Sequence, residues 1–414
     1  MTERTTCAIV GGGPAGMVLG LLLARGGVEV TVLEKHGDFL RDFRGDTVHP
    51  TTMRLLDEIG LGERFAELPQ SRIDEAAFRG ADGRRLVLAD FKRLRVPFPY
   101  IAMVPQWDLL DLLARAASEE PSFTLRMDAE ATGLLREGGG VAGVRYRNRR
   151  SGEEHELRAA LTVAADGRHS ALRAAAGLVP REFRVAFDAW WLRLPRRPGD
   201  ELGALQPNIG AGRMAVAIPR EGYFQIAYLG PKGDDARMRA AGPERFREQI
   251  AACLPQFADR VGEIASMDDV KHLDVRLDRL RRWHTPGLLC IGDAAHAMSP
   301  VGGVGINLAV QDAVAAASLL AGALRRGRPS PRELSRVRRR RLPPTVLVQG
   351  MQRLLHRAML EPVLARRRSG PPAAALRLVQ RLPWLSALPA FLIGTGARAE
   401  PTPPFARRRP TASR

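Results

Sequence analysis

Along the first 330 residues, short apolar runs bounded by turn residues alternate with longer runs of helical period. "TTCAIV" (5–10) has the Thr, Ile and Val composition of a buried parallel strand. "PAGMVLGLLLARG" (14–26) predicts a helix ending at Gly26 or Gly27, and "VEVTVLE" (28–34) a second strand closing on Glu34. The same strand, turn and helix order recurs in "ALTVAADGRHSALRAAAG" (160–177), turning at Asp166 and Gly167. It recurs again in "GLLCIGDAAHAMSPVGGVGINLAVQDAVAAASLLAGAL" (287–324), where Gly292 and Asp293 precede a Pro/Gly-rich loop and a long helix. Further helices are expected from about Pro50 to Gly60 and from Gln106 through "QWDLLDLLARAA". Strands alternating with helices point to an α/β fold around a mostly parallel sheet.

Between the two aspartate-bearing turns the period changes to two. Segments 185–195, 213–219, 222–230 and 269–277 read as strands, interrupted by a helix over 243–254. Residues 78–88 predict a hairpin, and a strand meander turns at Ser151–Gly152. Residues 331–399 read as helices broken at Pro343–Pro344 and Pro371–Pro372, and 400–414 as a disordered basic tail.

Composition narrows the picture. The chain has 414 residues, 45% hydrophobic and 26% charged, ordinary for a globular protein. Its net charge of +18 invites a nucleic-acid reading, but the excess is local: residues 325–414 carry 21 arginines against three glutamates. No aromatic interleaving or recognition motif accompanies it, so nucleic acid is not expected. A solvated basic face is the simpler reading. The alternative is a weak peripheral contact with an anionic membrane, because apolar "WLSALPAFLIG" (384–394) lies nearby. Cys7, Cys253 and Cys290 are too few and too scattered for a disulfide framework or a metal site, which fits a reducing, cytoplasmic setting. Three glycines and a proline in the middle of 7–24 argue against a membrane span or signal peptide there.

The first turn carries chemistry. Gly11, Gly13 and Gly16 form G-x-G-x-x-G, with Ala15 inside it. Gly11 permits the tight turn, Gly13 lets the backbone approach a pyrophosphate, and Gly16 lets helix and strand pack closely. The helix N-terminus adds free N–H groups and partial positive charge. Glu34, followed by Lys35, is placed to accept hydrogen bonds from a ribose diol. These features read as dinucleotide binding without choosing between NAD and FAD.

With the Asp166–Gly167 and Gly292–Asp293 turns, the chain resembles the single-component FAD-dependent aromatic hydroxylases, flavoprotein monooxygenases that include the ubiquinone-biosynthesis hydroxylases. The resemblance spans residues 5–345. It implies a Rossmann-like FAD-binding domain assembled from 1–75, 96–178 and 268–330, with a substrate-binding β-sheet domain inserted from 76–95 and 179–267. It places the FAD pyrophosphate on Gly11, Gly13, Ala15 and Gly16, the adenosine ribose on Glu34 and Lys35, and the ribityl chain on Gly292 and Asp293. Asp166 falls near the pyrophosphate. Pro300, Gly303, Gly305, Ile306 and Asn307 fall at the pyrimidine edge of the flavin, Arg44 and Gln106 touch FAD, and the backbone of Ala131 meets adenine.

The resemblance further implies NAD(P)H as a transient co-substrate, O2, and hydroxylation of an aromatic or lipophilic small molecule through a flavin C4a-hydroperoxide. One G-x-G-x-x-G turn leaves no separate nicotinamide domain. No catalytic base stands out. His49 either approaches the flavin or anchors the turn before Pro50, while Arg213 and Tyr223 lie on expected substrate-sheet strands. Trp190, Trp191, Met214 and Phe224 suggest a flat apolar ligand, or simply a core. Rival readings are an FAD-dependent reductase or halogenase on the same scaffold, and a flavin-binding redox sensor without turnover.

Overall fold

The computed structural model describes residues 2–40, 46–79, 85–200, 205–210, 212–367, 381 and 386–408. Its largest sheet has eight strands. Thr2–Val10 lies at the centre, parallel to Val30–Leu33 on one side and to Glu154–Ala164 on the other. Leu288–Cys290 and Phe123–Arg126 extend the parallel set outward. All four residues of Val30–Leu33 are buried, as expected of a strand covered on both faces. The Pro14–Arg25 helix packs against the Gly305–Arg325 and Gln106–Ser118 helices. Gly305–Arg325 is long and apolar enough to cross a bilayer, yet most of it is buried in this core. The expected meander is present: Ala129–Glu137, Gly140–Asn148 and Glu154–Ala164 run antiparallel in sequence.

The inserted layer is a five-stranded antiparallel sheet ordered Gln206–Gly210, Arg213–Pro219, Tyr223–Pro231, Phe187–Pro195, Lys271–Leu273. Strand alternation divides its side chains. Trp190, Leu192, Ala215, Phe224 and Tyr228 pack with Phe246 and Ile250 of the Gly242–Cys253 helix, and the alternate residues face the other way. The hairpin Glu75–Arg79 with Arg85–Asp90 also forms, its turn lying outside the described residues.

Three expectations need correction. The strand expected over 269–277 is two strands, Lys271–Leu273 in the inserted sheet and Leu277–Leu280 paired with Pro180–Phe183. The inserted sheet thus draws one strand from beyond residue 267. Between the two pieces, Asp188 Oδ1 accepts the Val275 N–H at 3.0 Å and Lys232 Nζ donates to the Val275 carbonyl at 2.7 Å, so side chains replace the ladder.

Pro343 and Pro344 do not break the helical region, since Pro331–Leu355 is one helix. Its buried polar residues anchor it across the prolines. Gln349 Nε2 donates to the Asp278 carbonyl at 2.7 Å, and Gln352 Nε2 to the Ser299 carbonyl at 2.9 Å. The Pro371–Pro372 break lies outside the described residues.

Residues 400–408 are ordered rather than a disordered tail. Glu400 and Thr402 are buried, Phe405 lies against Gly26, and Arg25 Nη1 reaches the Ala406 carbonyl at 3.3 Å. The apolar and ion-pairing residues among the arginines supply this anchorage, which a compositional reading averages away.

Candidate active site

A cavity of about 560 Å³ lies between the parallel sheet and the inserted one. Gly13, Pro14 and Ala15 line it from the first turn, Ala165, Gly167 and Arg168 from the second, and Asp293 from the third. Three turns far apart in the chain thus share one cleft, because parallel strands deliver their C-terminal ends to the same edge.

Backbone geometry explains the first turn. Gly11 has φ +107°, and a Cβ there would sit 2.3 Å from the Ala165 carbonyl oxygen. A Cβ on Gly16 would lie 1.9 Å from the Gly11 oxygen, so helix and turn touch backbone to backbone. Gly13 differs: a Cβ there meets nothing within 4 Å, because that side opens on the cavity. The Pro14–Arg25 and Gly305–Arg325 helices both begin at the cavity with no side-chain cap, leaving N–H donors for a ligand. Glu34 is buried and binds the Gly12 N–H through Oε2 at 2.9 Å and the His36 N–H through Oε1 at 3.1 Å. Asp166 Oδ1 is buried without a hydrogen-bond partner among the described residues, and Oδ2 takes the Leu172 N–H at 3.3 Å. Burial pushes this carboxyl above its ordinary pKa. Open glycine, uncapped helix ends and an orphaned oxygen fit an extended, phosphate-bearing cofactor such as FAD.

The other expected residues separate into groups. Pro300, Gly303, Gly305, Ile306 and Gln106 line the cavity, and Arg168 Nη2 holds Asp293 Oδ2 at 3.3 Å. Gly292 takes φ +58° immediately before Asp293. Asn307 is buried behind the wall, its Oδ1 accepting from Thr51 Oγ1 at 2.6 Å. Lys35 is exposed, and Ala131 sits on the strand whose first residue, Ala129, donates to the Glu34 carbonyl at 2.8 Å. A second cavity of about 470 Å³ follows Glu34, lined by Phe39, Trp107, Leu125 and Met127. Arg44 lies outside the described residues.

None of the three catalytic candidates lines the cavity. His49 is fully buried and N-caps the Pro50–Glu58 helix through its backbone, with burial pushing its ring down to about 4. Arg213 is held by Tyr228 Oη at 3.1 Å and Asp234 at 3.1 Å. The Tyr223 ring lies beneath the Arg193 guanidinium, 4.8 Å from its centroid. His296 is structural, its Nε2 lying 2.6 Å from Asp312 Oδ2.

The inserted-sheet side of the cavity is apolar: Trp191, Met214, Val216, Ile218 and Leu229 line it. Trp190 and Phe224 are core residues on its opposite face. The sequence reading missed the polar groups here. Asp46 and Gln225 line the wall, and both contact the buried Arg220, which pairs with Asp46 and donates from Nε to Gln225 Oε1 at 3.1 Å. Asp46 also accepts the Gln106 N–H at 3.3 Å. Burial raises its carboxyl pKa, against the pull of Arg220. No motif marks these residues, since they meet only when the two layers do. Ile393, from the Ala387–Gly394 helix, closes the wall.

Comparison with known proteins agrees with this geometry. The FAD binding domain family matches residues 4–348. The chain is 35% identical over 399 residues to 6-methylpretetramide 4-monooxygenase of Streptomyces rimosus, covering 92% of this chain and 90% of that protein. Its fold is similar to anhydrotetracycline hydroxylase from Streptomyces rimosus, with a TM-score of 0.73 at 24% identity, covering 95% of this chain and 76% of that one. It is also similar to p-nitrophenol 4-monooxygenase from Pseudomonas putida, with a TM-score of 0.75 at 20% identity, covering 96% and 100%. One cleft shared by three distant turns, a family match over most of the chain and a relative similar along nearly its whole length place this protein among the FAD-dependent aromatic monooxygenases.

Proposed function

We propose that this enzyme hydroxylates a flat, multi-ring phenol of the aromatic polyketide kind, using NAD(P)H and O2. The observation that carries the reading is one cavity bounded by the three turns on one side and an apolar sheet on the other. The named substrates of its relatives, 6-methylpretetramide and anhydrotetracycline, agree with it.

Bound FAD, reduced by NAD(P)H, supplies the activation of O2 and the transfer of one oxygen atom to an electron-rich ring. The chain's part is binding and exclusion. Gly13, Ala15 and the first helix terminus hold the pyrophosphate, Glu34 the ribose, and Asp293 the ribityl hydroxyls. The cavity lined by Phe39 and Trp107 would receive the adenosine end. The uncapped N–H groups opening Gly305–Arg325 would stabilise negative charge on the flavin, as fixed donors do. Trp191, Met214, Val216 and Leu229 hold the substrate ring by apolar contact and keep water out. Asp46 and Gln225 are the polar points toward which a phenolic hydroxyl orients, and Asp46 is the group placed to hold its proton.

Product analysis by mass spectrometry under labelled O2, over a panel of single-ring and fused-ring phenols, tests this. A fused-ring product carrying one labelled oxygen, formed with stoichiometric NAD(P)H consumption, is expected. Reduced or halogenated product without labelled oxygen, or NAD(P)H oxidation with no product, would refute it.

A further inference from the structure

We propose that Asp312 and Glu400 act, with Arg341 between them, as positioning residues for the Gly292–Asp293 turn. The stretch over 398–408 is then a clamp on the flavin site. The contacts run inward from the chain's end. Glu400 Oε1 accepts from Arg341 Nη1 at 3.1 Å, and the same guanidinium reaches the Arg398 carbonyl at 3.1 Å. Arg341 Nε donates to Asp312 Oδ1 at 3.0 Å, while Asp312 Oδ2 accepts the Gly292 N–H at 3.1 Å and faces His296 Nε2 at 2.6 Å. The following residue, Asp293, lines the flavin cavity.

Three features make this path more than packing. Asp312, Arg341, Glu400 and His296 are each at most 5% exposed, so their charges must be matched locally. Two carboxylates face two guanidinia, because Arg340 also binds Glu400, at 2.9 Å. Neutralising Glu400 leaves Arg341 with one buried carboxylate where it had two, which shifts its hold on Asp312 and the support of Gly292. The stretch is also fastened at both ends: the Glu400 N–H donates to Gln311 Oε1 at 2.5 Å, and the Arg408 N–H to the Glu58 carbonyl at 3.1 Å.

The proposal rests on the reading of Gly292–Asp293 as a flavin contact, so its test separates the two. Full-length apoproteins of wild type, Asp293→Ala, Glu400→Gln, Asp312→Asn and the last two combined are titrated with FAD by flavin fluorescence. Thermal unfolding of each apoprotein is followed in parallel. Glu400→Gln is expected to weaken FAD binding about tenfold, the scale of one charged hydrogen bond. The double variant is expected to bind no more weakly than Asp312→Asn alone, since both act along one path. If Asp312→Asn does not fold, Arg340→Gln, which removes the outer partner of Glu400, takes its place and is expected to weaken FAD binding in the same direction. Unchanged FAD affinity in Glu400→Gln, with a lowered apoprotein melting temperature and with FAD lost by Asp293→Ala, would overturn the clamp alone. Full affinity in Asp293→Ala would overturn the assignment of the turn, and the clamp with it.

Discussion

At the scale of single residues, two glycines of one motif have different jobs. Gly16 touches backbone, so Gly16→Ala forces the helix off the turn; a loss of stability of about 1–3 kcal/mol together with loss of FAD is expected. Gly13 has open space where its side chain would be. Gly13→Ala is therefore expected to fold with an unchanged apoprotein melting temperature while FAD titration shows weaker binding. Equal destabilisation by both substitutions would contradict this division. The buried imidazoles make a second prediction. Burial pushes His49 and His356 down to about 4. Unfolded rings protonate near 6.5, so the unfolded chain binds more protons between those values and stability falls as pH drops through that window. Urea midpoints should decline from pH 7 to pH 5, and a His49→Gln, His356→Gln double variant should flatten the decline. Motif glycines and Glu34 were legible in the sequence because their constraint is local. The roles of His49, Arg213 and Tyr223 were not, because burial and neighbours from other strands decide them.

At the scale of elements, period located most strands but missed the break within 269–277, and the Pro343–Pro344 pair was a poor guide. The strands Arg213–Pro219 and Tyr223–Pro231 form where alternation predicted them, yet alternation alone does not say which face meets ligand. Adjacent tryptophans show the consequence. Trp190 is fully buried, with Nε1 bonded to Asp235 at 2.8 Å, whereas Trp191 lines the cavity. Trp190→Ala should cost about 3–5 kcal/mol in urea unfolding. Trp191→Ala should cost less and instead raise KM for the aromatic substrate. A raised KM for the first with none for the second would reverse the assignment of faces. The Pro331–Leu355 helix survives two internal prolines because side chains at Arg341, Gln349 and Gln352 secure it to the Gly305–Arg325 helix, the Leu277–Leu280 strand and the loop at Ser299, a stabilisation invisible in a propensity scale.

At the scale of the molecule, the site belongs to a seam. Asp46 comes from the stretch before the Pro50–Glu58 helix and Arg220 from the turn joining Arg213–Pro219 to Tyr223–Pro231 of the inserted sheet, and their buried pair ties the two layers at the cavity wall. Arg220→Met leaves Asp46 buried without its cation, and a loss of about 3–5 kcal/mol is expected from urea unfolding. Replacing both, as Asp46→Leu with Arg220→Met, should recover much of it, since the penalty lies in the unpaired charge. A double variant as unstable as the single one would show that the seam depends on shape and not on charge.

The sequence by itself determined the parallel-sheet framework, the three turns and a dinucleotide-type cofactor, because each follows from short-range constraints: strand composition, glycine sterics, a carboxylate at a strand end; FAD rather than NAD followed from the resemblance that the three turns carry together. Only the tertiary structure decided which residues line the cavity and that residues 400–408 fold back against the core. Those outcomes depend on contacts between segments 174 and 381 residues apart, Asp46 with Arg220 and Arg25 with Ala406. A buried charge or an apolar wall acquires its meaning from whatever faces it, and no stretch of chain carries that information alone.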